Sequence, residues 1–185
     1  MRTFIAVRIP ATHAIEQTLR QLATMQPPLR LVAPHQCHVT LAFLGDTDTR
    51  LFPELATILR EVAATESVQQ LSLKGLGVFP RMASPRVVWA GFESPDPLHR
   101  MASLLAERCE RLGFAREDRP FHPHVTLARV KLAVPAPLAD FVRQRATTDL
   151  GTVTVSGLVL FRSEPRQSGL EYTEMAAAPF GMRAS

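Results

Sequence analysis

The sequence predicts an α+β fold of two pseudo-symmetric lobes, each an antiparallel sheet with helices on its outer face, around a central groove. Three observations carry this expectation. The pentapeptide His-Val-Thr-Leu-Ala occurs at 38–42 and again at 124–128, an offset of 86 residues and nearly half the chain, as a single duplication would leave and a many-copy array would not. Strand-like and helix-like hydrophobic periods follow one another in the same order on both sides of the midpoint. No low-complexity segment separates the halves, so the chain reads as a single bilobal domain over 1–185, with duplicated halves at about 1–93 and 94–185.

Thr3 to Ile9 alternates as a strand, and after Pro10 the spacing of Ile15, Leu19 and Leu22 predicts a first amphipathic helix. The chain then turns at Pro27 and Pro28. The apolar run from His38 to Leu44 reads as a strand closed by Gly45-Asp46, and Leu51, Leu55, Leu59 and Val62 form the stripe of a second helix. Gln70 to Phe79 and Arg86 to Phe92 read as strands joined by a connection too long for a tight hairpin.

Pro95 and Pro97 open a third helix with Leu98, Met101, Leu105, Cys109 and Leu112 on one face, and Gly113 suits its C-terminal end. Phe121 to Val130 is a further apolar strand and Pro137 to Arg145 a short helix with Leu138, Phe141 and Val142. Thr152 to Phe161 and Gly169 to Ala176 are the closing strands.

A composition of 46% hydrophobic and 21% charged residues excludes a disordered or fibrous chain. Twenty-one Lys and Arg against 17 Asp and Glu give a net charge of +4, which favours a polyanionic partner, although no dense basic tract marks a nucleic-acid arm. Cys37 and Cys109 lie far apart without finger spacing, so free buried thiols are expected rather than a disulfide scaffold or a zinc site. The N-terminal apolar run is broken by Arg8 and Pro10, too early for a signal peptide or a membrane span. A cytoplasmic protein with no membrane association is expected.

Side chains two apart on a strand share a face, so His38 projects with Thr40 and His124 with Thr126, while Val39, Leu41 and their counterparts enter the opposite layer. Packing of the two halves about a pseudo-twofold axis would bring two imidazoles and two hydroxyls into one cavity. That set suits a phosphodiester. A neutral imidazole accepts a proton from water, an imidazolium donates one to the departing oxygen, and hydroxyls hold the nonbridging oxygens, with no metal or other cofactor required. One His-x-Thr alone would be an ordinary surface or core pair. Two at equivalent positions would bury four polar side chains without return unless they share a task.

His35 and His122 allow a metal site to be drawn with His38 and His124, but no carboxylate or cysteine lies at ligand spacing beside them. Phe4, Phe79 and Trp89 can stack on a base, although strand aromatics more often fill the core. Arg129 stands five residues beyond His124, an odd offset that turns it to the opposite face unless the strand ends or bulges first. The equivalent position in the first half is Phe43, expected in the core.

The motifs and their surroundings resemble the 2H phosphoesterase superfamily, in its bacterial and archaeal RNA 2′,3′-cyclic phosphodiesterase branch, also called 2′–5′ RNA ligase-like. The resemblance is carried by Arg2 to Val7, by His38-Val39-Thr40-Leu41 with Phe43-Leu44-Gly45, and by Gly75 to Pro80 followed by Pro85 to Gly91. It continues through Phe121-His122-Pro123-His124-Val125-Thr126-Leu127-Ala128-Arg129 to Leu160, Ser163, Gly169 and Tyr172, and so covers essentially the whole chain.

The resemblance implies the bilobal 2H fold and metal-independent opening of an RNA 2′,3′-cyclic phosphate to a 2′-phosphomonoester. It gives His124 the activation of water, His38 the protonation of the leaving 3′ oxygen, and Arg129 a place as a phosphate ligand beside Thr40 and Thr126. The pseudo-symmetry is equally compatible with the two histidines exchanging roles. RNA ends or cyclic-phosphate nucleotides are the expected partners of a monomer. The competing expectations are a non-catalytic RNA- or nucleotide-binding module using the same groove, a phosphodiesterase for another cyclic phosphate or a 2′–5′ linkage, and a metallohydrolase.

Overall fold

The computed structural model describes residues 1–131, 133–166 and 169–181. The chain runs β1 (Arg2–Arg8), α1 (His13–Ala23), β2 (Arg30–Leu31), β3 (His38–Asp46), α2 (Phe52–Ala64), β4 (Gln69–Phe79), β5 (Val87–Phe92), α3 (Asp96–Arg111), β6 (Val125–Arg129), α4 (Leu138–Gln144), β7 (Asp149–Val155), β8 (Gly157–Arg166) and β9 (Gly169–Pro179). The helices form where the apolar spacing places them. Ile15, Leu19 and Leu22 are buried on α1, whose first turn is capped by the Thr12 hydroxyl accepting the Ile15 N–H. Gly113, at φ 89°, closes α3 with its N–H on the Glu110 carbonyl.

Two antiparallel sheets result, ordered β3-β1-β8-β9 and β2-β6-β5-β4-β7. Without the added edge strand β2, the two orders correspond: the motif strand (β3 or β6), the strand beside it (β1 or β5), then two more. Each sheet takes strands from both sequence halves. Apart from the excursion to β2 between β1 and β3, the chain leaves the first sheet through α2 for β4 and returns to it between β7 and β8. Helices α2 and α3 pack on the first sheet, against β8, β9 and β3, whereas α1 and α4 pack on the second, against β7, β6, β2 and β4. The helix-facing layers of both sheets merge into one core that includes Ile5, Val7, Val39, Leu41, Leu73, Val88, Val125 and Leu127, the main source of stabilisation at roughly 25 cal/mol per Å² of apolar surface buried.

Three differences from the sequence expectation have local causes. The run from Thr152 to Phe161 is two strands, because the chain crosses between sheets at Ser156, whose carbonyl accepts the Phe180 N–H at 2.8 Å. Gly157 permits this crossing, since a Cβ there would lie 2.7 Å from the Ala178 carbonyl oxygen. Strand β6 begins at Val125, after Pro123, which has no N–H to give a ladder. Strand β2 is only two residues long and carries no periodicity to detect.

Candidate active site

His38 is the first residue of β3, and His124 immediately precedes β6. Across the β1–β3 ladder His38 faces Arg8 and Thr40 faces Ala6, while Thr126 faces Trp89 across β5–β6. Facing residues share a side of the sheet. The opposite side of each motif strand is apolar and buried, with Val39, Val125 and Leu127 fully enclosed. Alternation therefore works in the motif as the sequence implies, and it is then broken in both strands. The β5–β6 register shifts between Val88 and Trp89, so that Arg129 faces Val87 and returns to the side of Thr126. The β1–β3 register shifts in the corresponding place, so that Phe43 faces Phe4 and returns to the side of Thr40. Phe43 is accordingly 57% exposed; its expected place in the core is overturned by the bulge.

The two imidazoles are held in the same way. His38 Nδ1 lies 2.7 Å from the Gln36 carbonyl oxygen, and His124 Nδ1 lies 2.7 Å from the His122 carbonyl oxygen. A carbonyl can only accept, so each Nδ1 carries the proton and each Nε2 is left as the titrating atom. Burial lowers the pKa of both histidines from the usual 6.5, and the carbonyl bonds oppose that only in part. His124, Arg129 and Arg8 depress His38 further, and His122 and Arg129 depress His124. One guanidinium thus acts on both imidazoles, and His124 acts on His38 from the other sheet. The groups from the two sheets converge. The Tyr172 phenol from β9 joins them: burial raises its pKa, while the nearby Arg129 pulls it down.

Aromatic rings form a wall on each side. Beside His38 lie Phe4 at 5.1 Å between ring centroids and Tyr172 edge-on at 5.1 Å, with Phe161 stacked on Phe4. Phe4, Phe161, Ala6 and Val159 form a small cluster separate from the main core, on the groove side of the first sheet. Arg8 lies over Phe161 and pairs with Glu174. Beside His124, Phe79 stands edge-on at 4.9 Å, and Trp89 lies 4.9 Å from His122. The indole crosses its neighbour Gly77, where any Cβ would collide with it.

His35 sits exposed in a short 3-10 turn over Pro34–Gln36. Among the described residues no three His, Cys, Asp or Glu side chains gather as a metal site. Both cysteines are buried and unpaired, and burial pushes their pKa values up to about 11, which leaves them unreactive. Sequence reasoning missed Tyr172, Phe161 and Arg8 as neighbours of the site; only strand pairing brings them to His38. Tyr172 alone carried a hint, as the single tyrosine of the chain.

Residues 10–167 match the family model of the 2′-5′ RNA ligase superfamily. An RNA 2′,3′-cyclic phosphodiesterase of Archaeoglobus fulgidus is 32% identical over 177 residues, which cover 95% of this chain and 98% of that one. The crystal structure of TT0787 of Thermus thermophilus superposes with a TM-score of 0.81 at 29% identity, with both chains fully covered. Escherichia coli LigT complexed with 3′-AMP superposes with a TM-score of 0.71 at 27% identity over 97% of each chain.

Proposed function

Since the chain belongs to the 2′-5′ RNA ligase superfamily, we propose that it hydrolyses RNA 2′,3′-cyclic phosphate ends to 2′-phosphomonoesters, with His38 and His124 as the acid–base pair. The observation that carries the roles is the matched pair of Nδ1 bonds to main-chain carbonyls, which leave two Nε2 atoms free under the influence of one arginine. One neutral imidazole removes a proton from water as its oxygen attacks phosphorus. The bond from phosphorus to the 3′ oxygen breaks, and the other imidazole, as imidazolium, gives that oxygen its proton. Thr40, Thr126 and Arg129 hold the nonbridging oxygens as negative charge builds on them. In the forward direction His124 takes the base role and His38 the acid role; the near-equal settings of the two are compatible with the exchange as well.

The chain is proposed to act as a monomer, because both motif strands come from one chain. The single bilobal unit is part of the same proposal and is supported by the corresponding strand orders, which match β1 with β5 and β9 with β7 and so do not follow a division of the chain at residue 93. A cytoplasmic setting is supported by two unpaired thiols; among the described residues no helix is long and apolar enough to cross a membrane.

The test incubates the purified protein, in EDTA, with an oligoribonucleotide ending in a 2′,3′-cyclic phosphate and identifies the product by phosphorus NMR. A 2′-phosphomonoester is expected. A 3′-phosphomonoester would reverse the assignment of the leaving oxygen. No product, together with unchanged RNA binding by the double histidine variant, would establish a binding module in place of an enzyme.

A further inference from the structure

Arg30 lies on the edge strand β2, where it faces Arg129 directly across the β2–β6 ladder. Facing residues on adjacent strands project to the same side, so Arg30 projects to the groove side together with Arg129, Thr126 and Trp89. Both arginines are half-buried. Like charges set directly opposite each other destabilise a sheet. Of the other described arginines, seven lack an ion pair but face no second arginine across a ladder, whereas nine, Arg8 and Arg166 among them, have a carboxylate in ion-pair range. Among the described residues neither Arg30 nor Arg129 has one. An uncompensated pair of this kind fits an anion supplied by the ligand, and two adjacent guanidinium groups fit two adjacent phosphates.

We infer that Arg30 is a specificity residue that binds the phosphodiester on the 5′ side of the terminal nucleotide, so that the site prefers an oligonucleotide end to a mononucleotide. The inference rests on the proposed function for its reaction but not for its geometry. Arg129, which depresses both histidines, belongs to the reacting phosphate. Arg30 stands one strand farther out, at the sheet edge, where the polymer leaves the site. Among the described residues no other strand lies beyond β2 in that sheet, so the path outward is not blocked by a further ladder.

The test compares wild type, Arg30→Gln and Arg30→Lys on an oligonucleotide ending in a 2′,3′-cyclic phosphate and on a mononucleoside 2′,3′-cyclic phosphate. Arg30→Gln should lose about tenfold or more in kcat/KM on the oligonucleotide, as for a charge-assisted bond, and less than about twofold on the mononucleotide, with Arg30→Lys recovering part of the loss. Binding is measured in parallel by anisotropy, with a 3′-phosphorylated oligonucleotide as probe across a salt series. The slope of log affinity against log salt should fall by about 0.7 in Arg30→Gln, the share of one phosphate contact on a single strand. Equal losses on both substrates, or an unchanged salt slope, would overturn the inference. If wild type turned over neither substrate, the proposed function would fall, and the salt slope alone would decide the role of Arg30.

Discussion

Arg129 and Thr126 share a side of β6 although three positions separate them, because the β5–β6 register slips by one residue between the pairs Trp89–Thr126 and Val87–Arg129. Strict alternation would send the guanidinium into the layer where Leu127 is fully buried. The bulge thus converts a strand-end arginine into a groove cation, and the same device in β3 brings Phe43 out opposite Phe4. One lobe receives a charge at this position and the other an aromatic ring.

His38→Ala and His124→Ala should each lower kcat by at least ~100-fold, the low end for removal of a general acid or base. The double variant should be little worse than either single one, because the two groups act in one step. Steady-state kinetics with circular dichroism as a fold control measures this. Full activity in either single variant would remove that histidine from the mechanism.

The pH profile follows from the depressed histidines. Turnover needs one imidazole protonated and the other neutral, a state most populated between the two macroscopic pKa values of the pair. Both values lie below 6.5 in the free protein, chiefly through burial. The kcat/KM bell should therefore centre below 6.5 and decline on its alkaline side through neutrality. A bound phosphate favours the imidazolium, so the kcat bell should lie at higher pH. Arg129→Met removes a cation that lowers both values, and its kcat/KM alkaline limb should move up. Proton NMR titration of the imidazoles in the ligand-free protein reads the same shift without turnover, and a downward shift would contradict the placement of Arg129.

Gly77→Ala tests the aromatic wall beside His124. The added methyl collides with the Trp89 indole, and overpacking of this kind costs about 1–3 kcal/mol. Trp89 is the chain's one tryptophan, so its fluorescence reports the displacement directly. A lower denaturation midpoint with an altered emission maximum is expected; an unchanged spectrum would mean that the ring does not lie across β4.

Phe43→Ala separates the bulged strand from a regular one. A core phenylalanine costs about 3–5 kcal/mol on truncation. With 57% of its surface exposed, Phe43 should cost under about 1 kcal/mol in chemical denaturation, consistent with a side chain outside the core. A core-sized loss would restore regular alternation in β3.

Much of the fold is legible in the sequence, because the helix stripes and the strand runs around the two motifs are local patterns. Ile15, Leu19 and Leu22 specify α1 without knowledge of its partner, and His38 with Thr40 specify a shared face. What is not legible depends on partners far along the chain. The bulges that reposition Phe43 and Arg129 are set by pairing with β1 and β5, and residues 152–161 pass from alternation to a continuous apolar run without a turn signal that would show the strand changing sheets at Ser156. Tyr172 reaches His38 only because β9 closes the first sheet. The histidines and threonines could be read from repetition; their aromatic and cationic surroundings required the topology.

The two Nδ1 anchors also bear on how the site tolerates variation. Many histidines are oriented by a carboxylate side chain, and such an anchor can be lost by one substitution. Here the acceptors are the main-chain oxygens of residues 36 and 122, and every amino acid supplies that atom. The side chains at 36 and 122 can therefore change while the tautomers of the reacting pair stay as they are.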